Sequence, residues 1–272
     1  MAFSRSQKNQ LVYALLMAGC IAVFWWFENF YTPDPYGTGG GADAAYDLPE
    51  AWVPHYPGGE EVRHDFYRLS YAEPYEQAAW VAYRLSPGQL TDDERERPFF
   101  VEDPLVRTKS ADWRNYKRSG YDRGHLCPAG DMRFSEASYN QTFYTSNISP
   151  QHPEFNAGLW NDLELQVRRW CRRYGPLTVI TGGILEACLP AIGEEQVAVP
   201  ARFYKVVIRE EGSGIRVAAF LMENRPGEGP LERFLVPLDS VEALSGIDFF
   251  PELPEREQEA LETAARAEAW DF

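Results

Sequence analysis

The chain has 272 residues, of which 44% are hydrophobic and 14% aromatic, so most of it should fold, as one or two domains. A net charge of −15 argues against a uniformly basic, nucleic-acid-binding surface. The charge is uneven, however. Residues 107–123 hold six Lys or Arg against two Asp, residues 167–175 hold four Arg and no acid, and residues 251–272 hold seven acids against two Arg. The two basic patches are either solvated faces or polyanion-binding surfaces.

A charge-free run near the N-terminus predicts a membrane segment. Residues 11–27 carry no charged side chain, and Arg5 and Lys8 precede them. As a helix, this run would span about 26 Å, just enough for a thin bilayer. We expect a short basic segment at 1–10 and an uncleaved transmembrane anchor, or signal-anchor, at 11–31. The positive-inside rule then places the rest of the chain outside the cytoplasm, in the periplasm or extracellular space. If the segment is a cleaved signal peptide, the protein is secreted.

Composition divides the remaining chain into three parts. Residues 32–49 are rich in Pro and Gly, which predicts a flexible linker. Residues 50–254 carry the apolar and aromatic runs expected of a folded domain. Residues 255–272 are polar and acidic, which predicts a C-terminal helix with a weak apolar face.

The folded part alternates short strands with one strong helix. Runs rich in β-branched and aromatic residues predict strands at 62–71, 78–85, 143–151, 177–185, 201–210 and 214–223. Leu159, Leu163 and Val167 recur at helical spacing within 158–175, and Gly175 ends that pattern. Mixed short strands and a single strong helix indicate an α+β domain.

The cysteines leave two hypotheses open. In an oxidising compartment, Cys171 and Cys188 are a candidate disulfide. A zinc site made from His125, Cys127, His152 and Cys171 has no recognisable ligand spacing.

The stretch Tyr121–Met132, "YDRGHLCPAGDM", concentrates titratable side chains where Gly and Pro turn the backbone. His125 lies at its centre. An imidazole with an ordinary pKa near 6.5 suits a general base at neutral pH, although a single His is more often structural.

Two downstream residues resemble a sparse cation site. Asn156 comes just before the predicted helix, and Glu164 lies two turns further along it. One carboxamide oxygen and a remote carboxylate would leave most coordination positions to water, as Mg²⁺ prefers. The alternative is a helix-capping Asn156 and a solvated Glu164.

Several motifs together resemble a known family. "YKRSGYDRGHLCPAGDM", "TFYTSNISPQ", "EFNAGLWNDLE", "VAVPARFYKVVI" and "PLERFLVPLDSVEALSGIDFFPEL" are similar to those of the DNA/RNA non-specific endonucleases of the endonuclease G type. The resemblance covers roughly residues 50–254. It implies a ββα-metal nuclease fold with a central, mostly antiparallel sheet flanked by helices, here preceded by the single N-terminal transmembrane helix.

The resemblance also implies roles for individual residues. His125 would be the general base, and Asn156 would bind a single Mg²⁺, which Mn²⁺ can replace. Glu164 would hold metal-bound waters, and Asp122 would help to order them. Asn147 would support the site near the scissile phosphate.

The basic residues would bind and stabilise phosphate. An upstream Arg would stabilise the transition state; Arg95 is the better match and Arg97 the second. Lys117, Arg118 and Arg123 would contact substrate.

The resulting prediction is a metal-dependent, sequence-non-specific endonuclease with DNA and RNA as substrates. It would contact the membrane through residues 11–31, and a homodimer is a candidate assembly. The competing hypotheses are a catalytically silent envelope protein that binds polyanions, and a phosphodiesterase for a small substrate.

Overall fold

The computed structural model describes residues 5–31, 34–36, 48–212, 214–262 and 267–272. The chain divides into two compact units, residues 1–34 and residues 35–272. The first contains the helix α1 (Arg5–Phe30). Its Gln7–Phe30 portion could cross a membrane by length and composition, a test that an N-terminal signal sequence also passes. Most of the predicted linker at 32–49 lies outside the described residues.

The second unit combines strands and short helices. Its strands are β1 (Glu60–Arg63), β2 (Arg68–Ala72), β3 (Gln77–Leu85), β4 (Asp122–His125), β5 (Ile148–Gln151), β6 (Leu177–Gly183), β7 (Ala191–Ile192), β8 (Val197–Ala198), β9 (Arg202–Glu211), β10 (Gly214–Glu223) and β11 (Leu235–Val236). Its α-helices are α2 (Glu136–Gln141), α3 (Pro153–Phe155), α4 (Asn161–Tyr174), α5 (Leu238–Ser245) and α6 (Glu255–Glu262).

A seven-stranded sheet in the order β1-β2-β3-β6-β9-β10-β11 forms the centre, and every neighbouring pair is antiparallel. Alternate residues of its strands enter two cores. Val179 and Val207 pack against Leu163 and other residues of α4 on one face. Their neighbours Ile180 and Val206 pack on the other face, with residues of α5. The α+β prediction with a central antiparallel sheet is therefore confirmed.

A separate two-stranded ladder precedes α4. β4 pairs with β5 in antiparallel register, from Asp122 opposite Gln151 to His125 opposite Ile148. α3 follows, then one widened turn at Asn156–Trp160, in which Gly158 departs from helical backbone angles and kinks the chain, and then α4. β4, β5 and α4 thus follow in the ββα order, with the short helices α2 and α3 between them.

Two predicted elements have different limits in the structure. The predicted strand 143–151 is reduced to β5, because residues 145–147 form a 3₁₀ turn. Of the predicted C-terminal helix, the structure describes α6 at Glu255–Glu262 and a 3₁₀ turn at Ala267–Ala269. Trp270 is only 5% exposed, so the segment does not continue to its end as a solvated helix.

The predicted Cys171–Cys188 disulfide is absent, because all four cysteines are free. The physical reason is their placement. Cys171 lies in the core, where its Sγ donates to the Leu85 carbonyl oxygen at 3.4 Å, whereas Cys188 is exposed.

Candidate functional site

A pocket opens where the end of β4 faces the beginning of α4. His125, Asn156, Asn161 and Glu164 line it, and its cavity volume is about 250 Å³. The structure therefore brings together the proposed base His125, the proposed metal ligand Asn156 and the carboxylate of Glu164, although α2, β5 and α3 lie between the first and the other two along the chain. The ββα order does this: β4 supplies His125, and the widened turn and α4 supply the other two.

His125 sits among aromatic rings and positive charges. Its ring centroid is 4.9 Å from that of Phe143 and 5.6 Å from that of Phe100, and its buried Nε2 has no hydrogen-bond partner. Burial, followed by the charges of Arg97 and Arg123, lowers its pKa to about 3. The imidazole is therefore neutral at pH 7, which leaves its nitrogen free to accept a proton, but the same shift makes it a weaker proton acceptor than an ordinary His.

Asn156 lies in the widened turn and is half-buried. Its Nδ2 donates to Asp122 Oδ2 at 2.9 Å. Since the nitrogen is used in this bond, the amide oxygen is the atom left for a ligand. Widened helical turns of this kind are frequent at functional sites.

Glu164 faces the pocket from α4 with a side chain that is 14% exposed. Burial raises its pKa to about 7, although the charges of Lys205 and Arg168 oppose the shift. Arg168 Nη2 lies 3.3 Å from Glu164 Oε2, one helical turn away. A neighbouring cation would favour the ionised carboxylate.

A buried group of charges lies behind Glu164. Arg168 also pairs with Asp131, which accepts from the Tyr83 hydroxyl at 2.7 Å. Lys205, on β9, is 1% exposed; its Nζ donates to Thr181 Oγ1 at 2.8 Å. The same ammonium lies 4.6 Å from the centroid of the Trp160 ring.

Sequence reasoning did not identify this buried group. The available signals were a Lys in the middle of the apolar run "FYKVVI" and an Arg four residues after Glu164.

The arginines beside His125 include Arg97 and Arg123. The Arg123 guanidinium is 4.7 Å, and that of Arg97 5.5 Å, from the Phe100 ring centroid. Burial, then the charge of Arg97, lowers the pKa of Arg123. Among the described residues Arg97 makes no ion pair, which leaves its charge available to an anion.

The other predicted basic residues lie elsewhere. Arg95 donates to the Arg133 carbonyl oxygen at 2.9 Å and pairs with Asp93 at 3.0 Å. Lys117 and Arg118 are exposed and are not among the lining residues of the pocket. Of the two candidates for the upstream Arg, the structure thus puts Arg97, not Arg95, beside His125.

Asn147 is fully buried and organises the backbone that follows His125. Its Oδ1 accepts from the Cys127 amide at 2.8 Å. Its Nδ2 donates to the carbonyl oxygens of Cys127 at 3.0 Å and of Thr142 at 2.9 Å. The side chain therefore fixes the turn and does not itself face the pocket.

The donor set fits a hard, mostly hydrated cation. Within the described ranges, no group of three or more His, Cys, Asp or Glu side chains could hold a metal ion by itself. The pocket instead offers the amide groups of Asn156 and Asn161 and the Glu164 carboxylate. Such oxygen donors suit Mg²⁺ or Mn²⁺.

Comparisons with known proteins agree with this geometry. A family model described as DNA/RNA non-specific endonuclease matches residues 52–256. Human "Endonuclease G, mitochondrial" is 38% identical over 202 residues, covering 69% of this chain and 68% of that protein. Zebrafish (Danio rerio) "Nuclease EXOG, mitochondrial" is 32% identical over 244 residues, covering 84% and 69%. A solved EndoG/EndoGI complex superposes with a TM-score of 0.68 at 32% identity, covering 74% of this chain and 90% of the matched one.

These relatives also correct the predicted location. They are mitochondrial nucleases, so the prediction of a single-pass membrane protein in the periplasm or extracellular space is wrong. That prediction rested on the apolar run at 11–27 and on Arg5 and Lys8 before it. Length and hydrophobicity are shared by anchors and targeting sequences and do not identify the membrane.

Proposed function

The chain belongs to the DNA/RNA non-specific endonuclease family and is a nuclease, and on that premise we propose that it hydrolyses phosphodiester bonds of DNA and RNA with His125 as general base and one Mg²⁺ held through Asn156. One observation carries the proposal. A neutral imidazole, an amide oxygen and a carboxylate converge on one pocket beside two arginines.

His125 performs the proton transfer. Because its imidazole is neutral at pH 7, it takes a proton from a water molecule as the water oxygen attacks phosphorus. The bond between phosphorus and the 3′-oxygen breaks, and the leaving oxygen is protonated by solvent. Asn147 contributes by holding the Cys127 backbone, two residues after the base.

The arginines bind the charge that develops on phosphate. Arg97 and Arg123 lie over the same ring and raise the local positive potential next to His125. Fixed cations aimed at a developing negative charge stabilise the transition state more than the ground state. Contacts of this kind read phosphate and not bases, as a non-specific nuclease requires.

Asn156 and Glu164 would hold the cation. Asp122 fixes the Asn156 amide so that its oxygen is the free atom, and Glu164 supplies a negative charge across the pocket. When bound, a divalent cation supplies neutralisation of phosphate charge and lowers the pKa of water.

The catalytically silent polyanion binder is the second candidate. Simple binding of a polyanion requires only the arginines, whereas His125, Asn156 and Glu164 also converge on one pocket. This observation favours catalysis over simple binding. The homodimer stays a prediction.

We place the chain in mitochondria, by analogy with the names of its relatives, with α1 as the segment that delivers it there. Residues 1–47 fused to a fluorescent protein provide the test. A diffuse or plasma-membrane signal would contradict this placement.

A degradation assay tests the reaction. Supercoiled plasmid and a folded RNA are incubated with Mg²⁺ or with EDTA, using wild type and His125→Ala. We expect cleavage of both polymers only with metal, and a loss of about 10²–10⁴-fold in turnover for His125→Ala with unchanged DNA affinity. His55→Ala, which alters an exposed His, is the matched control. Cleavage in EDTA, or full activity of His125→Ala, would refute the mechanism.

A further inference from the structure

The segment Glu268–Phe272, here called the Trp270 segment, packs against α4 and β9. Trp270 is buried, with its ring centroid 4.6 Å from that of Trp170 on α4. The Arg209 guanidinium, on β9, lies 5.2 Å from the centroid of the Trp270 ring. Arg209 also donates to the Ala269 carbonyl oxygen at 3.0 Å. The Trp270 indole thus contacts both α4 and the central sheet.

Directional bonds fix the same segment to α4. The Asp271 carbonyl oxygen accepts from Trp170 Nε1 at 2.6 Å and from Gln166 Nε2 at 2.9 Å. The Asp271 amide donates to the Tyr174 hydroxyl at 3.0 Å, and its carboxylate pairs with Arg173 at 2.6 Å. One residue therefore contacts α4 along two of its turns.

The side of α4 that makes these contacts is not the side that faces the pocket. Gln166, Trp170 and Tyr174 follow one another at intervals of four residues, which places them on one side of the helix. Glu164 and Arg168 form a second row on the opposite side, because each residue is rotated by about 100° from the last. The helix is held between the Trp270 segment and the pocket.

We propose that the Trp270 segment is a positioning element of the active site: it sets the position of α4 and, through it, of Glu164. The proposal rests on the proposed function, because it assigns the segment a role in catalysis. Trp270 and Asp271 are the positioning residues, and neither lines the pocket. A small displacement of a supporting element is enough to lower turnover, since reacting groups must be held to a fraction of an ångström.

Full-length variants test the proposal. Trp270→Ala should lower kcat by about 10–100-fold while KM for DNA changes little, because the arginines that hold phosphate are on other elements. Trp270→Phe should recover most of kcat, since a ring still fills the slot. Glu268→Ala, an exposed change in the same segment, is the matched control. A folded Trp270→Ala protein with wild-type kcat would overturn the proposal.

A second experiment applies if Trp270→Ala does not fold. A chain ending at residue 266 is refolded with a synthetic peptide of residues 267–272 and with the same peptide carrying Ala in place of Trp270. The authentic peptide should restore activity saturably, and the substituted one should not. Equal restoration by both peptides, or none by either, would overturn the proposal.

Hydrogen exchange separates this proposal from the proposed function. Trp270→Ala should speed amide exchange in residues 161–168, whether or not the protein cleaves nucleic acid. Unchanged protection there would refute positioning, even in an active enzyme. Faster exchange in Trp270→Ala, combined with a wild-type protein that cleaves neither polymer, would refute only the nuclease mechanism.

Discussion

Asn156 Nδ2 donates to Asp122 Oδ2 at 2.9 Å, and this bond orients the Asn156 amide in the pocket. A carboxylate can only accept, so it selects the nitrogen end of the amide. The oxygen end is then fixed as the free group. Asp122 thereby orients the side chain that we propose as the cation ligand.

Removal of Asp122 should therefore weaken metal binding. Asp122→Ala frees the Asn156 amide to rotate, and we expect Mg²⁺ affinity to fall about 10–100-fold. Asp122→Asn should lose less, because its own amide oxygen can still accept the bond. Calorimetric titration of Mg²⁺ measures both variants. Equal affinity of Asp122→Ala and wild type would contradict this role.

The base and the metal ligand should separate in a metal titration. Asn156→Ala should cleave plasmid slowly at low Mg²⁺ and recover part of its rate as Mg²⁺ rises. His125→Ala should stay slow at every concentration, because added metal does not replace the proton acceptor. Rescue of His125→Ala but not of Asn156→Ala would show that the two roles are exchanged.

Arg97 and Arg95 form a matched pair two residues apart. Arg97→Met should lower kcat/KM by about 10²–10³-fold, through the loss of a cation beside the transition state. Arg95→Met should change it by less than about threefold, as for a surface contact. Since the Arg97 charge lowers the pKa of His125, its removal should also move the acid limb of the pH–rate profile to higher pH. The opposite ranking would identify Arg95 as the catalytic arginine.

Glu164 should make the metal-free protein sensitive to pH. Burial raises its folded-state pKa to about 7, above the ordinary value of 4.5. Its contribution to stability is thus fully present below pH 4.5 and is lost as pH rises through 7. Between pH 4.5 and 8 in EDTA, wild type should lose roughly 3 kcal/mol relative to Glu164→Gln. Urea unfolding at several pH values checks this, and parallel curves for the two proteins would refute it.

Removal of the Asn147 side chain should lower the free energy of unfolding. Asn147→Ala leaves the Cys127 amide and two buried carbonyl oxygens without partners, and should cost about 2–4 kcal/mol of unfolding free energy. Asn140→Ala, which alters a half-buried Asn in α2, should change it by less than about 1 kcal/mol. Chemical denaturation measures both. Equal losses would show that the hydrogen bonds of Asn147 to Cys127 and Thr142 do not stabilise the fold.

Sequence periodicity was sufficient where burial determines structure. The helical spacing of Leu163 and Val167 located α4, and apolar runs located β3, β6, β9 and β10. Residue chemistry singled out His125, Asn156 and Glu164, the family resemblance implied their roles, and the fold brings them to one pocket.

Long-range packing limited the remaining predictions. Residues 91–100 have no periodic pattern, so the sequence offered no firm basis for preferring Arg95 to Arg97. The structure distinguishes the two, because Arg97 lies over the Phe100 ring whereas Arg95 bonds to the Arg133 carbonyl oxygen. The acidic composition of residues 255–272 concealed Trp270, whose partners on α4 and β9 are distant in sequence. A buried Lys205 is visible only when β9 is placed beneath α4.

The glycine before His125 separates ancestry from activity. A Cβ at Gly124 would lie 2.2 Å from the Gln151 side chain, so any larger residue there would force that buried side chain on β5 to move. The His125 ring also packs, against Phe143 and Phe100, but another ring of similar size could make those contacts without accepting a proton. In a relative that has lost hydrolysis, we therefore expect the glycine to be retained with the scaffold while a different ring replaces the histidine, so that the first residue reports descent and the second reports catalysis.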